Sequence, residues 1–311
     1  MEENFREIQV KMSFIKLRRK FYYFSAFIFS RGALAFPYKF SVGVFSAFFG
    51  RIAYYAVYSA TNIAKRNLRK CFPEKSENEI IKITKEVFCN MTKNFFEVVN
   101  FPRMSQTFLK NISSVDGSYI IEKSIKKRKG ILFVSAHTGN WEITAASIAS
   151  LGVPVNVVAK KIYIDGLNNM LVKYRMSKRI NVILRNASDA GTKLLKVLRK
   201  GEIIAMLIDQ DTNVPGVFVD FFGDKAWTSS GFAVLALKTG ADVLVGLDQR
   251  VDKYRHKTVI KGPLSIESSE DFNKDVEILT QKASFVLEEH IRQYPEQWVW
   301  FHKRWKTRPE K

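Results

Sequence analysis

Beyond Pro102 the chain alternates short apolar runs with amphipathic stretches. Residues 131–136, 155–159, 182–184, 203–208, 243–247 and 258–261 are brief, mostly β-branched or aliphatic, and read as buried strands. Polar and apolar positions recur at helical spacing near 118–128, 141–150, 167–179, 188–200, 229–239 and 272–293. Strands that alternate with helices require a mainly parallel sheet covered on both faces. Upstream, the basic helix end at 64–70 is stopped by Cys71-Phe72-Pro73, because proline cannot continue a helix. Ser76 with Glu79 forms a capping-box pattern that opens a helix to about Asn100, with Ile80, Ile83, Val87, Met91, Phe95 and Val98 along one face. There is no internal repeat, no low-complexity segment, and no linker that marks a second soluble domain. The fold class is α/β, with a single domain over 61–311 whose mainly parallel sheet is flanked by helices.

Residues 1–60 have a different character. The first twenty carry six Lys or Arg (Arg6, Lys11, Lys16, Arg18, Arg19, Lys20) against three Glu. Apolar, aromatic-rich stretches then run over 21–30, 32–50 and 52–60, interrupted by Arg31, Lys39 and Arg51. A spanning helix needs about 20 apolar residues with few charges, and none of these stretches is clean. A cleaved signal peptide is not expected, since no small-x-small site follows a compact apolar core. Three readings stay open: an anchor helix centred on 32–50, a pair of helices lying in the headgroup region, or a pair of buried core helices. Phe and Tyr clustered beside Lys and Arg weigh against the last, so 1–60 is expected to be a basic and hydrophobic membrane-anchoring segment.

The charge balance narrows the partners. Lys and Arg number 50 against 30 Asp and Glu, a formal net charge of +20, which suits an anionic partner: phospholipid, nucleic acid or an acidic carrier protein. Basic runs at 126–129 and 303–306 are candidate patches. Hydrophobic residues make up 46% of the chain, enough for a substantial core, which excludes intrinsic disorder. The two cysteines, Cys71 and Cys89, make neither a zinc pattern nor a CxxC pair.

One motif carries chemistry. The strand at 131–136 runs straight into His137-Thr-Gly-Asn-Trp-Glu142, and a helix follows. In an open α/β sheet, ligands bind outside the carboxyl ends of strands. His137 is placed there, and Glu142, once the turn folds back, is expected to accept from one imidazole nitrogen and free the other as a base. The bland alternative is that His137 caps the strand and Glu142 answers the helix dipole. G-x-S-x-G is missing, so direct attack by a substrate hydroxyl fits better than a covalent enzyme intermediate. Main-chain N–H groups near Thr138–Asn140, or a cation, are the candidate oxyanion donors. The Phe-rich stretch 217–222 reads as core packing first and as an acyl groove second. His256, His290 and His302 show no partner pattern and are expected at ordinary surface or packing positions.

The stretch SAHTGNWE at 135–142 resembles the H-x4-D/E box of the bacterial lipid A biosynthesis acyltransferases, the late lauroyl and myristoyl transferases. Asn67-Leu-Arg-Lys-Cys-Phe-Pro-Glu74, DQD at 209–211, GVFVDFFG at 216–223, TGA at 239–241 and the ending PEQWVWFHKRWKTRPE at 295–310 follow in that family's order. The resemblance implies an enzyme: an O-acyltransferase that moves a fatty acyl chain from acyl carrier protein to a hydroxyl of a lipid A precursor, without cofactor or metal. It implies the cytoplasmic face of the bacterial inner membrane as location, with lipopolysaccharide biosynthesis as the role. In it His137 matches the general base, Glu142 its orienting partner, Arg175 a functional arginine and Asp209 a substrate-side aspartate at a strand end. Where many members carry Arg after the 155–159 strand, this chain has Lys160-Lys161, which keeps charge but loses bidentate geometry. Expected partners are acyl carrier protein and a membrane glycolipid, with no nucleic acid.

Two alternatives stand beside this. One is an acyltransferase of the same family acting on another glycolipid or on a lysophospholipid. The other is a basic membrane-surface or nucleic-acid-binding protein without catalysis, with Trp298, Trp300 and Trp305 stacking bases among the basic residues.

Overall fold

The computed structural model describes residues 23–309. Its centre is a seven-stranded sheet made by β1 (Ser113–Asp116), β2 (Ile131–Ser135), β3 (Val155–Ala159), β4 (Ile180–Leu184), β5 (Ile203–Leu207), β8 (Asp242–Arg250) and β9 (His256–Leu264). The spatial order is β1-β9-β8-β2-β5-β3-β4. Every neighbouring pair is parallel except the β8–β9 hairpin, which is antiparallel. β6 (Gly216–Phe221) and β7 (Asp224–Ser229) form a separate two-stranded antiparallel ribbon. The predicted α/β class and the mainly parallel sheet are therefore present, in a mixed sheet whose β8–β9 edge turns antiparallel.

β2 lies at the middle and is buried along its whole length. Successive side chains of a strand point to opposite faces. Leu132 and Val134 accordingly join one core with Phe232, Ala236 and Leu279 of the helices Gly231–Thr239 and Phe272–Gln293. Ile131 and Phe133 join the other, with Ile143 and Ile148 of the helix Trp141–Ala149. Close approach of Phe133 demands the glycine at 246, because a Cβ there would overlap the Phe133 ring. Two apolar faces on one strand explain its uninterrupted hydrophobic run.

The capping box of Ser76 and Glu79 forms as predicted and starts the helix Glu77–Asn100. Its buried face is turned from the predicted one. Asn94, Phe96 and Glu97 point inward and Phe95 is exposed, because two polar side chains reach a charged cluster behind the sheet edge. A continuous anchor helix over 32–50 does not form. The first described helix covers 23–34, and the chain breaks before Pro37, as the steric conflict of proline with a preceding helical residue requires. Helices Ser46–Ala56 and Tyr58–Cys71 follow, and no single described helix is long and apolar enough to cross a membrane. Tyr38–Ala56 and Tyr58–Cys71 meet that test only together, bent by 89°. The expected basic flank at 1–20 lies outside the described residues. The Phe-rich stretch 217–222 forms β6, where Val219 and Phe221 are buried in the core, so packing is its role.

Candidate active site

β2 ends at Ser135, and two residues later His137 stands at the carboxyl edge of the sheet beside the end of β5. Asp209 comes two residues after β5 and is buried at 2% exposure. The two meet across the edge: His137 Nδ1 lies 2.9 Å from Asp209 Oδ1, and the His137 main-chain N–H donates to Asp209 Oδ2 at 2.8 Å. The Trp298 indole N–H donates to the same oxygen at 2.7 Å. Burial alone would push the Asp209 carboxyl up. The charge of the His137 ring, its two hydrogen bonds and that of Trp298 overcome this and bring the pKa down to about 2. In the neutral imidazole, the bond from Nδ1–H to ionised Asp209 leaves the lone pair on Nε2. The Trp141 ring packs edge-on against the imidazole, centroids 4.7 Å apart.

Glu142 does not orient His137. It is the second residue of the helix Trp141–Ala149, and its carboxylate turns toward the helix Asp165–Met176. Arg175 there donates from Nε to Oε2 at 2.9 Å and from NH2 to Oε1 at 2.5 Å, a bidentate pair with both side chains largely buried. All four predicted site residues thus fall in two pairs, but the partner assignments change. Asp209 takes the place expected of Glu142, and Glu142 locks Arg175. Asp211 is committed elsewhere, accepting from the main chain and hydroxyl of Thr307 at 2.7 and 3.0 Å.

The turn between β2 and the next helix is fixed on every side. Gly139 has φ +53°, and a Cβ there would collide with Asp248, so glycine is required. Its N–H donates to the Gln297 carbonyl at 3.0 Å and its carbonyl accepts from Asn94. The Asn140 N–H donates to Asp248 Oδ2 at 2.7 Å, the Asn140 amide donates to Glu97 at 2.7 Å, and its oxygen caps the helix at Glu142 and Ile143. The main-chain donors of Gly139 and Asn140, expected to serve an oxyanion, are therefore already spent.

Glu97 and Asp248 belong to a buried cluster that the sequence did not announce. Arg250 donates to both Glu97 oxygens at 2.6 and 2.9 Å and to Asn94 at 2.8 Å. His256 Nδ1 is 2.6 Å from Asp248 Oδ2 and its Nε2 is 3.0 Å from Glu97 Oε1. Burial would lower the His256 pKa; the two carboxylates override it and raise it to about 9. Both ring nitrogens then donate, and two cations balance two anions. Removing the charge of either carboxylate would strand a buried cation. His256 is therefore no ordinary packing histidine. His290 does pack, its ring tilted by 56° against Tyr294 with Nε2 3.1 Å from the Asp248 carbonyl.

Beside His137 a cavity of about 330 Å³ opens between the sheet and the helix Trp141–Ala149. Phe133, Ala145, Ile148, Val155, Val157 and Ala205 line its apolar part. Trp141, Glu142, Arg175, Lys160 and Arg185 stand toward the carboxyl edge of the sheet and line the same space. Among the described residues no group of three or more His, Cys, Asp or Glu is arranged to hold a metal ion.

Two expectations about basic surface need correction. Arg304 and Trp305 are buried, with Arg304 donating to the Trp227 carbonyl and Thr228 hydroxyl, so 303–306 is not a continuous basic patch. Trp298, Trp300 and Trp305 are core residues and present no face for base stacking. The run at 126–129 is exposed as expected.

The sequence model of the bacterial lipid A biosynthesis acyltransferases matches residues 9–307. The chain belongs to this family. The lipid A biosynthesis lauroyltransferase of Escherichia coli is 26% identical over 84% of each chain. The palmitoleoyltransferase of the same organism is 25% identical over 80% of this chain and 79% of its own. A phosphatidylinositol mannoside acyltransferase of Mycobacterium tuberculosis is 25% identical over 48% of each chain. The His137 motif, Asp209 and the closing PEQW segment, brought together above, all lie inside the matched region.

Proposed function

We propose that the protein transfers a fatty acyl chain from the thioester of acyl carrier protein to a hydroxyl of a lipid A precursor, with His137 as general base. The observation that carries this reading is the His137–Asp209 pair at the sheet edge, bonded through Nδ1 and lining a largely apolar cavity. In the reaction, Nε2 takes the proton of the acceptor hydroxyl as its oxygen attacks the thioester carbonyl. The tetrahedral intermediate collapses with breakage of the C–S bond, and the imidazolium returns the proton to the departing sulfur. The new ester and the free thiol balance the atoms. General-base assistance of this kind contributes about 10²–10⁴ in rate. With the Gly139 and Asn140 amides engaged, the cation Arg175, held by Glu142, is the group assigned to the developing oxyanion. The cavity takes the acyl chain, which gains roughly 0.8 kcal/mol per buried CH₂.

The N-terminal helices support seating on the cytoplasmic face of the inner membrane. Phe48, Tyr55 and Tyr58 are 57%, 70% and 74% exposed, and Phe29, Phe36, Phe40, Phe45 and Phe49 pack ring to ring beside them. An exposed apolar patch of this kind on bent helices favours the interfacial reading over a spanning anchor. The exposed Lys and Arg at 126–129 suit an acidic carrier protein. The mycobacterial relative, named for another glycolipid, favours as second reading a different glycolipid acceptor with the same chemistry.

The test is transfer of radiolabelled acyl chains from acyl carrier protein to a lipid A precursor by the detergent-purified protein. His137→Ala and Asp209→Asn are expected to lower kcat at least about 100-fold while leaving the fold intact. Transfer that survives His137→Ala refutes the mechanism, and transfer only to another glycolipid moves the acceptor.

A further inference from the structure

We infer that Arg185 and Lys160 form a phosphate-binding subsite at the mouth of the active-site cavity, set apart from the reacting carbonyl. The charge balance of the cavity lining comes first. Lys160, Arg175 and Arg185 face it as cations and Glu142 as a carboxylate. Both Glu142 oxygens are occupied by Arg175, so Lys160 and Arg185 have no counter-charge in the lining. Neither makes an ion pair elsewhere among the described residues.

The second observation is local geometry. The Arg185 N–H donates to the Ala159 carbonyl at 2.9 Å, one step beyond the Ala159–Leu184 pair that closes the β3–β4 ladder. This bond pins residue 185 beside residue 160, so both side chains leave the carboxyl edge of the sheet together. Arg185 Nε is buried and has no hydrogen-bond partner among the described residues. A buried donor without an acceptor is costly, and one on a charged group more so. Such a group in a cavity wall marks a place where an acceptor belongs. A water molecule would satisfy the N–H but leave the half-buried Arg185 charge, with the exposed Lys160 beside it, without a counter-ion. A phosphate satisfies both, and the planar guanidinium fork matches its oxygens.

Position then limits the phosphate. From β2, which carries His137, to β4, which carries Arg185, the sheet order crosses β5 and β3. Spacings of about 4.8 Å set the strand before Arg185 roughly 14 Å, and the strand before Lys160 roughly 10 Å, from the strand that carries His137. The ligand is therefore a substrate whose phosphate is separated from its reacting atom by a spacer. The inference rests on the acyl-transfer reading, which supplies two such groups. One is the phosphodiester of the donor's pantetheine arm, and the other is a phosphate on the glycolipid acceptor.

The experiment compares wild type, Arg185→Met, Lys160→Met and Arg185→Lys in steady-state transfer. Donors are acyl carrier protein thioester and acyl-pantetheine, which lacks the phosphodiester; acceptors are phosphorylated and dephosphorylated glycolipid. The expected result is a rise of about ten-fold or more in KM for one substrate, with kcat changed only a few-fold and Arg185→Lys intermediate. If the donor supplies the phosphate, the penalty disappears with acyl-pantetheine. If the acceptor supplies it, the penalty disappears with the dephosphorylated glycolipid. Either outcome supports the subsite and names its ligand. KM values within two-fold of wild type for both substrates, or a penalty undiminished without either phosphate, overturn it. His137→Ala run in parallel separates this from failure of the acyl-transfer reading, since only the latter leaves that variant active.

Discussion

Replacing His256 with Asn and titrating stability between pH 6 and pH 9.5 probes the buried cluster that holds the His137 turn. The imidazole is faced by Glu97, Asp248 and Arg250. Its pKa rises from 6.5 to about 9 because two carboxylates outweigh its burial and the Arg250 charge. The pKa is higher in the folded state, so the protonated ring favours folding. Its contribution is complete below pH 6.5 and is lost as the pH rises through about 9. At about 1.4 kcal/mol per pH unit, the interval corresponds to about 3 kcal/mol. Glu97 is held well below the carboxylate range by Arg250 and His256 against its burial, and Arg250 is raised by Glu97 against its own. Both keep their charge through the window. His290, the other buried histidine beside Asp248, is lowered by burial. Urea unfolding in fixed detergent, followed by fluorescence of the buried Trp298 and Trp300, measures both proteins. Wild type is expected to exceed His256→Asn most at pH 6, with the gap shrinking by about 3 kcal/mol by pH 9.5. A gap constant to within about 1 kcal/mol across that range would mean that His256 is neutral in the fold, and the four-charge account would fail.

Glu142→Gln, Arg175→Met and the double variant form a mutant cycle in transfer rate; a coupling of about 2 kcal/mol is expected from the bidentate pair, and additive losses would show that the two act separately. Ala205→Phe adds a ring to the cavity wall, so the preferred donor is expected to shorten, with long-chain donors losing about ten-fold or more in kcat/KM; an unchanged chain-length profile would place the acyl chain elsewhere. Phe48→Ser with Tyr55→Ser removes exposed apolar side chains, and partition onto anionic phospholipid vesicles is expected to drop about ten-fold or more in a flotation assay. Equal partition would remove this face from the membrane contact.

What the sequence disclosed follows from how each element is buried. β2, β3 and β5 announced themselves because they lie inside the sheet, where strands read as unbroken apolar runs. β1 (SSVD) and β7 (DKAWTS) alternate between half-buried and exposed or buried positions with little apolar content, and short polar segments of this kind carry no strand signal. Within the site, His137 was legible from its place after β2, and Asp209 from its place after β5. Their pairing was not, since it spans 72 residues and depends on β5 lying next to β2, a fact of sheet order rather than local pattern. Glu142 was the nearer carboxylate in sequence, but its position in the first helical turn directs it to Arg175. Glu97 and His256 left no trace because neither sits in a recognisable motif, His256 lying in an ordinary charged run (Asp252 to Lys257), and their partners come from other elements.

The closing segment shows what the family's scattered motifs share. Trp298 donates to Asp209, the Gln297 carbonyl receives the Gly139 N–H, and the Gln297 amide and its oxygen bond the Arg250 main chain. Residues at the end of the chain thus bind Asp209, the turn that carries His137 and the strand that carries the buried arginine. Asn94 and Glu97 bring the long N-terminal helix to the same turn. Each of these bonds uses a main-chain, side-chain amide or indole N–H donor. The turn is made rigid by committing its own donors, so in the proposed reaction stabilisation of charge on the substrate falls to side chains elsewhere in the cavity lining. In the proposed reaction this division gives a role to Arg175 on a separate helix, locked by a carboxylate from the helix the turn begins.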